Sequence, residues 1–156
     1  MGDIVFNIAK GRAKEFYNRV ESNDPTNSAF VLMLFTGAGT DATLIDLDDV
    51  AAIEADAGFA EVTDLSYARI TLTDTDLAAL PAPDDSNDRN EFTFPDRTWS
   101  SLDGGDNITR LIVGYDSDTG AGTDANIIPV MALDFVVTSN GGDVTADFGT
   151  VLFRAA

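Results

Sequence analysis

Beyond residue 65 the chain breaks into short apolar-patterned runs fenced by Gly, Asp and Asn: 67–73, 90–94, 98–102, 108–115, 127–138, 144–148 and 150–154. Runs of this length, rich in Val, Ile, Thr and aromatic residues, are strands rather than helices, and turn residues between them demand frequent reversals of direction. Many short strands at this spacing fold by stacking two sheets or by closing one. The expected fold class is therefore mainly β: an antiparallel β-sandwich or barrel-like domain with one or two short helices and an N-terminal arm. Within it, Leu111, Val113 and Tyr115 share a face and Leu133, Phe135 and Val137 extend the core, while Arg110 and Asp134 point away. Pro95 and Pro129 belong at a bulge, a strand start or an edge, since neither donates to a ladder. Asp103-Gly104-Gly105-Asp106 and Asn140-Gly141-Gly142-Asp143 read as hairpin connections, because paired glycines supply the positive φ that tight hairpins need.

The first part of the chain follows other periods. Ile4, Phe6 and Ile8 alternate with Asp3, Val5 and Asn7 over a short strand. From Lys10 the apolar positions Ala9, Ala13, Phe16, Tyr17 and Val20 recur at three- and four-residue intervals, the mark of an amphipathic helix. It should stop between Ser22 and Pro25, where Asn23 and Asp24 favour a turn. Residues 29–36 form an unbroken apolar run, too short to be an independent helix, and so a core strand covered on both sides. Residues 37–43 read as a loop, followed by a helix capped by Asp46 or Asp48 that carries Leu47, Val50, Ala51 and Ile53 inward and stops at Gly58. With no sustained repeat and no obvious linker, the organisation is an arm over 1–25 and a single β-rich domain over 26–156.

Composition narrows the chemistry. The 156 residues include no His and no Cys, which removes imidazole-based triads, thiolate nucleophiles and the usual zinc sites. No enzymatic activity is expected. Twenty-seven acidic residues stand against nine basic ones, a net charge of −18. Four of the nine, Lys10, Arg12, Lys14 and Arg19, fall in the first twenty positions, which carry +2 while the remainder carries −20. Such an asymmetry suits a segment that meets an acidic partner, or one that pairs with its own acidic body. The acidic body repels phosphate, so direct binding of nucleic acid is not expected. The longest apolar run is also far short of the roughly 20 residues that span a bilayer, so no membrane association is expected.

Three further constellations bear on function. Asp116, Asp118 and Asp124 alternate through a flexible loop and could offer oxygen ligands to Ca²⁺, though the EF-hand glycine and twelfth-position acid are replaced by Ala121 and Ile127. No other cofactor is indicated. Asp84, Asp85, Asp88 and Glu91 form a second acidic cluster that reads as a surface loop. Trp99, with Phe92 and Phe94 close by, is either a stacking platform or core.

Taken together, Asp3-Ile-Val-Phe-Asn-Ile-Ala-Lys-Gly11, Tyr67-Ala-Arg-Ile70, Asp85-Ser-Asn-Asp-Arg89, Tyr115-Asp-Ser-Asp118, Thr123-Asp-Ala-Asn-Ile-Ile-Pro129 and Phe153-Arg-Ala-Ala156 resemble a family of small virion proteins of tailed bacteriophages, of the capsid decoration (cement) or minor tail type. The resemblance implies a non-enzymatic structural role on the outer surface of the head. It implies the major capsid protein as partner and a homotrimer as the assembled form. In that setting Ile4, Phe6 and Ile8 would add a strand to a capsid edge, and Lys10, Arg12, Lys14 and Arg19 would steer docking. Removing residues 1–20 should then leave a folded body that no longer attaches. The alternatives are a tail or head–tail component, or a carbohydrate- or receptor-binding β module that stacks sugars on Trp99 or Tyr115.

Overall fold

The computed structural model describes residues 2–155; Met1 and Ala156, the outer ends of the two expected segments, lie outside the described residues. Its centre is a six-stranded antiparallel sheet. Strand β2 (Ala29–Thr36) runs between β7 (Asn107–Asp116) on one side and two short strands, β3 (Ala60–Glu61) and β4 (Ile70–Leu72), on the other. Beyond β7 lies β8 (Ile128–Thr138), and β1 (Ile4–Val5) closes the row. Two ribbons complete the β structure: β5 (Asn90–Phe92) with β10 (Phe153–Ala155), and β6 (Arg97–Trp99) with β9 (Val144–Ala146). The architecture is mainly β and sandwich-like, as the strand-and-turn pattern predicts.

The unbroken apolar run of β2 has a direct cause: both faces of the sheet are covered. Alternation and register place Phe30, Leu32 and Leu34 on one face with their partners Tyr115, Val113 and Leu111. Against it pack the ribbons and α1 (Ala13–Glu21), through an aromatic cluster in which Phe30 meets Phe94 at 4.8 Å and Tyr17 meets Phe92 at 4.6 Å between ring centroids. Met33 and Phe35 face the opposite way, towards α2 (Asp41–Leu44) and α3 (Val50–Ala55), whose Leu44, Val50 and Ile53 are fully buried. The helices number three rather than one or two, because residues 40–44 form a short turn of helix instead of ending a loop. There Thr40 accepts the Thr43 N–H at 3.2 Å in an N-cap.

Arg110 departs from the expectation that it points away from the core. With the sheet covered on both sides there is no outward face at its position, and the side chain is 0% exposed. Its guanidinium is held by Asp41 of α2 and Asp134 of β8. Leu133, Phe135 and Val137 are half-buried. Pro129 sits in the second position of β8, opposite Gly114, where the β7–β8 register shifts and a ladder donor is not required.

The two glycine-pair turns also differ from the hairpins expected of them. A hairpin joins strands that pair with each other, but β6 pairs with β9 and β7 with β8. The turns instead lie side by side: Gly141 N–H donates to Leu102 O at 2.8 Å, Leu102 N–H to Gly142 O at 3.0 Å, and Gly105 N–H to Ser139 O at 3.1 Å. They form one corner at which a long antiparallel pair leaves the main sheet and folds over it as the β6–β9 ribbon. Gly105 and Gly141 supply the φ values of +125° and +85° that the corner needs.

Candidate partner-binding surface

Residues 2–25 are seated on the sheet rather than projecting from it. Ile4 and Val5 pair with Ala132 and Met131 of β8, and Phe6 N–H donates to Val130 O at 3.1 Å. The strand expected over residues 3–8 ends there, because Asn7–Ala9 tighten into a 3-10 turn. Gly11, at φ +78°, then redirects the chain into α1. Phe6, Ala9, Ala13, Phe16, Tyr17 and Val20 are all buried. Phe16 stacks on Tyr115 at 4.5 Å, and Tyr17 donates its hydroxyl to Ala78 O at 2.9 Å. Burial pushes the Tyr17 phenol above its ordinary pKa, with the nearby Glu21 charge adding to the shift. The helix ends at Glu21 with Ser22 as its cap, and Asn23 just beyond takes the left-handed conformation at φ +50°.

The residues proposed to contact a partner therefore divide. Phe6 is fully buried and Ile4 and Ile8 are half-buried against the protein's own core, so this apolar row is spent internally. The cations remain outside. Lys10 is exposed, its Nζ donating to Asn7 Oδ1 at 2.6 Å, and half-buried Lys14 lies on the flank of α1. Arg12 lies over the Phe16 ring at 4.5 Å and pairs with Glu15 at 3.3 Å. Arg19 pairs with the same carboxylate at 2.9 Å. Arg19 and then Arg12 hold the Glu15 carboxyl below its ordinary pKa. Exposed pairs of this spacing contribute little to stability and leave the guanidinium groups accessible.

The remaining five basic residues, all arginines, are paired as well. Arg69 is held by Glu54 at 2.8 Å and by Glu61 and Asp124. Arg89 pairs with Asp84 and Glu91, Arg97 with Asp76, Arg110 with Asp41 and Asp134, and Arg154 with Glu91. Among the described residues, Lys10 and Lys14 are the basic side chains that enter no ion pair. The Arg69 network also ties Tyr67 in, since the Tyr67 hydroxyl donates to Glu61 at 2.6 Å while accepting from Leu34 N–H at 3.1 Å. Burial, reinforced by Glu61, raises the Tyr67 pKa, and the bond to Glu61 raises that of Arg69. Burial and the Glu61 contact raise Glu54 above the ordinary carboxylate range. No sequence motif marks this five-residue cluster, because its members come from α3, β3, the segment just before β4 and the 3-10 turn before β8.

The other predicted positions take structural roles. Asp116 accepts the Asp118 N–H at 3.0 Å, Asp118 accepts the Gly120 N–H at 3.0 Å, and Asp124 is drawn away to Arg69. The three do not converge, and among the described residues no cluster of three or more acidic side chains is placed to share a metal ion. Trp99 is 3% exposed, with Nε1–H donating to Ala68 O at 2.9 Å, and Tyr115 lies beneath Phe16. Both rings belong to the core. Among the described residues no helix is long and apolar enough to cross a membrane. Compared with known proteins, the chain matches no family model, no curated sequence and no solved structure.

Proposed function

We propose that the protein is a non-enzymatic structural component of a bacteriophage particle, a decoration protein on the outer face of the head, where it docks on the major capsid protein as a homotrimer. The observation that carries this reading is the partition of positive charge. All five arginines beyond residue 20 pair with carboxylates of the acidic body, whereas before it Arg12 and Arg19 share the single carboxylate of Glu15 and Lys10 and Lys14, among the described residues, enter no ion pair. A net-positive segment on an otherwise repelling protein favours one region for docking on an acidic surface, and weak contacts of that kind add up over a lattice. The acidic remainder keeps neighbouring copies apart and soluble. The resemblance of its short segments to small virion proteins is in keeping with the same placement.

The test is occupancy on undecorated heads. Lys10→Gln, Arg12→Gln, Lys14→Gln and Arg19→Gln together should leave the circular dichroism spectrum unchanged and lower binding to purified heads about tenfold or more, and binding of the parent protein should weaken steeply with salt. Equal occupancy of the two proteins, or absence of the protein from purified particles by mass spectrometry, overturns the reading. Light scattering that gives a monomer mass at high concentration overturns the trimer.

A further inference from the structure

Strand β8 is 11 residues long, but its outer neighbour β1 pairs only with Met131 and Ala132. Where β1 departs, Asp3 caps the next open donor, its Oδ1 accepting the Asp134 N–H at 2.8 Å. From Phe135 to Thr138 the outer edge of β8 faces no strand among the described residues. Edges of this kind are ordinarily blunted by lysine, proline, a β-bulge or a covering element. The stretch Leu133-Asp-Phe-Val-Val-Thr138 has neither residue. Between Asp134 and Val137 the strand holds one more residue than the facing stretch of β7, and Val136 stands out of the ladder at 81% exposure.

Beside this edge opens a cavity of about 280 Å³, floored by Leu133, Phe135 and Phe148 and rimmed by Asp3, Asp134 and Asp147. We propose that the open edge of β8 at Phe135–Thr138, together with this cavity, takes up an extended strand of a partner protein in which lysine or arginine alternates with apolar residues. The backbone edge calls for a strand, because only an extended segment satisfies a row of open N–H and C=O groups. Side chains alternate along such a strand, so one set enters the cavity beside Leu133, Phe135 and Phe148 while the next meets the rim, whose Asp3 and Asp147, among the described residues, enter no ion pair. The charge selects against a second copy: each chain carries −18, and edge-to-edge pairing would bring two acidic rims together. The inference uses none of Lys10, Arg12, Lys14 or Arg19 and stands apart from the particle reading.

The probe is a capped peptide of about eight residues that alternates lysine with valine or leucine, added to ¹⁵N-labelled full-length protein. Saturable shifts and slowed hydrogen exchange are expected at the amides of Phe135–Thr138, with shifts at Phe148. A matched peptide with glutamate for lysine, and one N-methylated at alternate amides, should each bind at least tenfold more weakly. Val136→Lys, at an exposed site that leaves the spectrum of the core unchanged, should weaken binding about tenfold by placing a cation on the edge. The proposal is overturned by absence of saturable shifts at millimolar peptide, by shifts centred elsewhere, or by equal binding of the N-methylated peptide. It is overturned as well if the same amides become protected by self-association of the protein alone.

Discussion

Replacing Phe16 by alanine tests whether α1 belongs to the cooperative fold. Phe16 is 0% exposed, with its ring stacked on Tyr115 at 4.5 Å and covered by the Arg12 guanidinium. Truncating a buried phenylalanine costs about 3–5 kcal/mol through lost transfer energy and the cavity left behind. For a chain of this size each kcal/mol moves Tm by roughly 2–4 °C, so a drop of about 6–20 °C is expected. The natural probe is the fluorescence of Trp99 in urea. Trp99 is the sole tryptophan and sits on the β6–β9 ribbon, bonded to Ala68 rather than to α1. An appended arm could lose Phe16 without Trp99 registering it. A helix that is part of one cooperative core must shift the Trp99 transition by the full amount. A midpoint change worth less than about 1 kcal/mol, or a separate early transition that Trp99 does not see, would refute the reasoning. The same packing predicts that removing residues 1–20 abolishes folding, because Phe6, Ala9, Ala13, Tyr17 and Val20 leave the core together with Phe16. The folded remnant expected from sequence is not retained.

Two further predictions concern charged groups. The carboxylates that hold Arg110 are about a third exposed, with side chains at 32% and 35%, whereas the guanidinium is fully enclosed and its Nε lacks a partner. Arg110→Met should therefore cost less in a urea titration than Asp41→Asn combined with Asp134→Asn, which strands an enclosed cation at about 3–5 kcal/mol; the reverse order would contradict the argument. Burial and the neighbouring Asp106 carboxyl raise the pKa of Asp64 above its ordinary value. The folded state then holds that proton more tightly than the unfolded one, so this group favours folding at low pH and loses its contribution as pH rises through the raised value. Asp64→Asn should melt higher than the parent at pH 7, and the gap should close as pH falls into the ordinary carboxylate range. A gap that does not vary with pH would sink it.

Where sequence patterns were long and local, they translated directly into elements. The apolar run 29–36 coincides with β2, the expected strand 108–115 lies one residue inside β7 at each end, and Ala13, Phe16, Tyr17 and Val20 mark the buried face of α1. The differences arise where a neighbour decides. Asp46, Asp48 and Asp49 are equivalent as N-caps by chemistry. Asp49 is the one used, accepting from Ala52 N–H at 2.7 Å, in a helix whose Val50 N–H is fixed to Ile127 O at 3.1 Å. The glycine pairs at 104–105 and 141–142 specify a change of direction but not which strands pair across it, so a sheet corner and a hairpin read alike. Arg110 looked outward because alternation implies a wet face, and that inference fails in a sheet covered on both sides.

The candidate surface was half legible for a related reason. Sequence records where a charge lies along the chain, and the excess of cations before residue 20 is real. It does not record what each cation meets in space. Arg12 and Arg19 fall three and four residues from Glu15, a spacing that is readable on a helix, whereas the partners of Arg69 and Arg110 come from up to 69 residues away. Ile4, Phe6 and Ile8 do pack on the core, though Val5 between them packs there too and the strand stops at Val5, and a sequence cannot distinguish residues buried in a partner from residues buried at home. The open edge of β8 has no sequence signature at all. It exists because β1 is two residues long and β8 eleven, and a mismatch between paired strands becomes visible only once their register is known. Lengthening the cover is thus a more telling perturbation than deleting it. Any change that extended pairing along Phe135–Thr138 would occupy the proposed strand site from within while leaving the cations of α1 exposed, and so would separate the two surfaces.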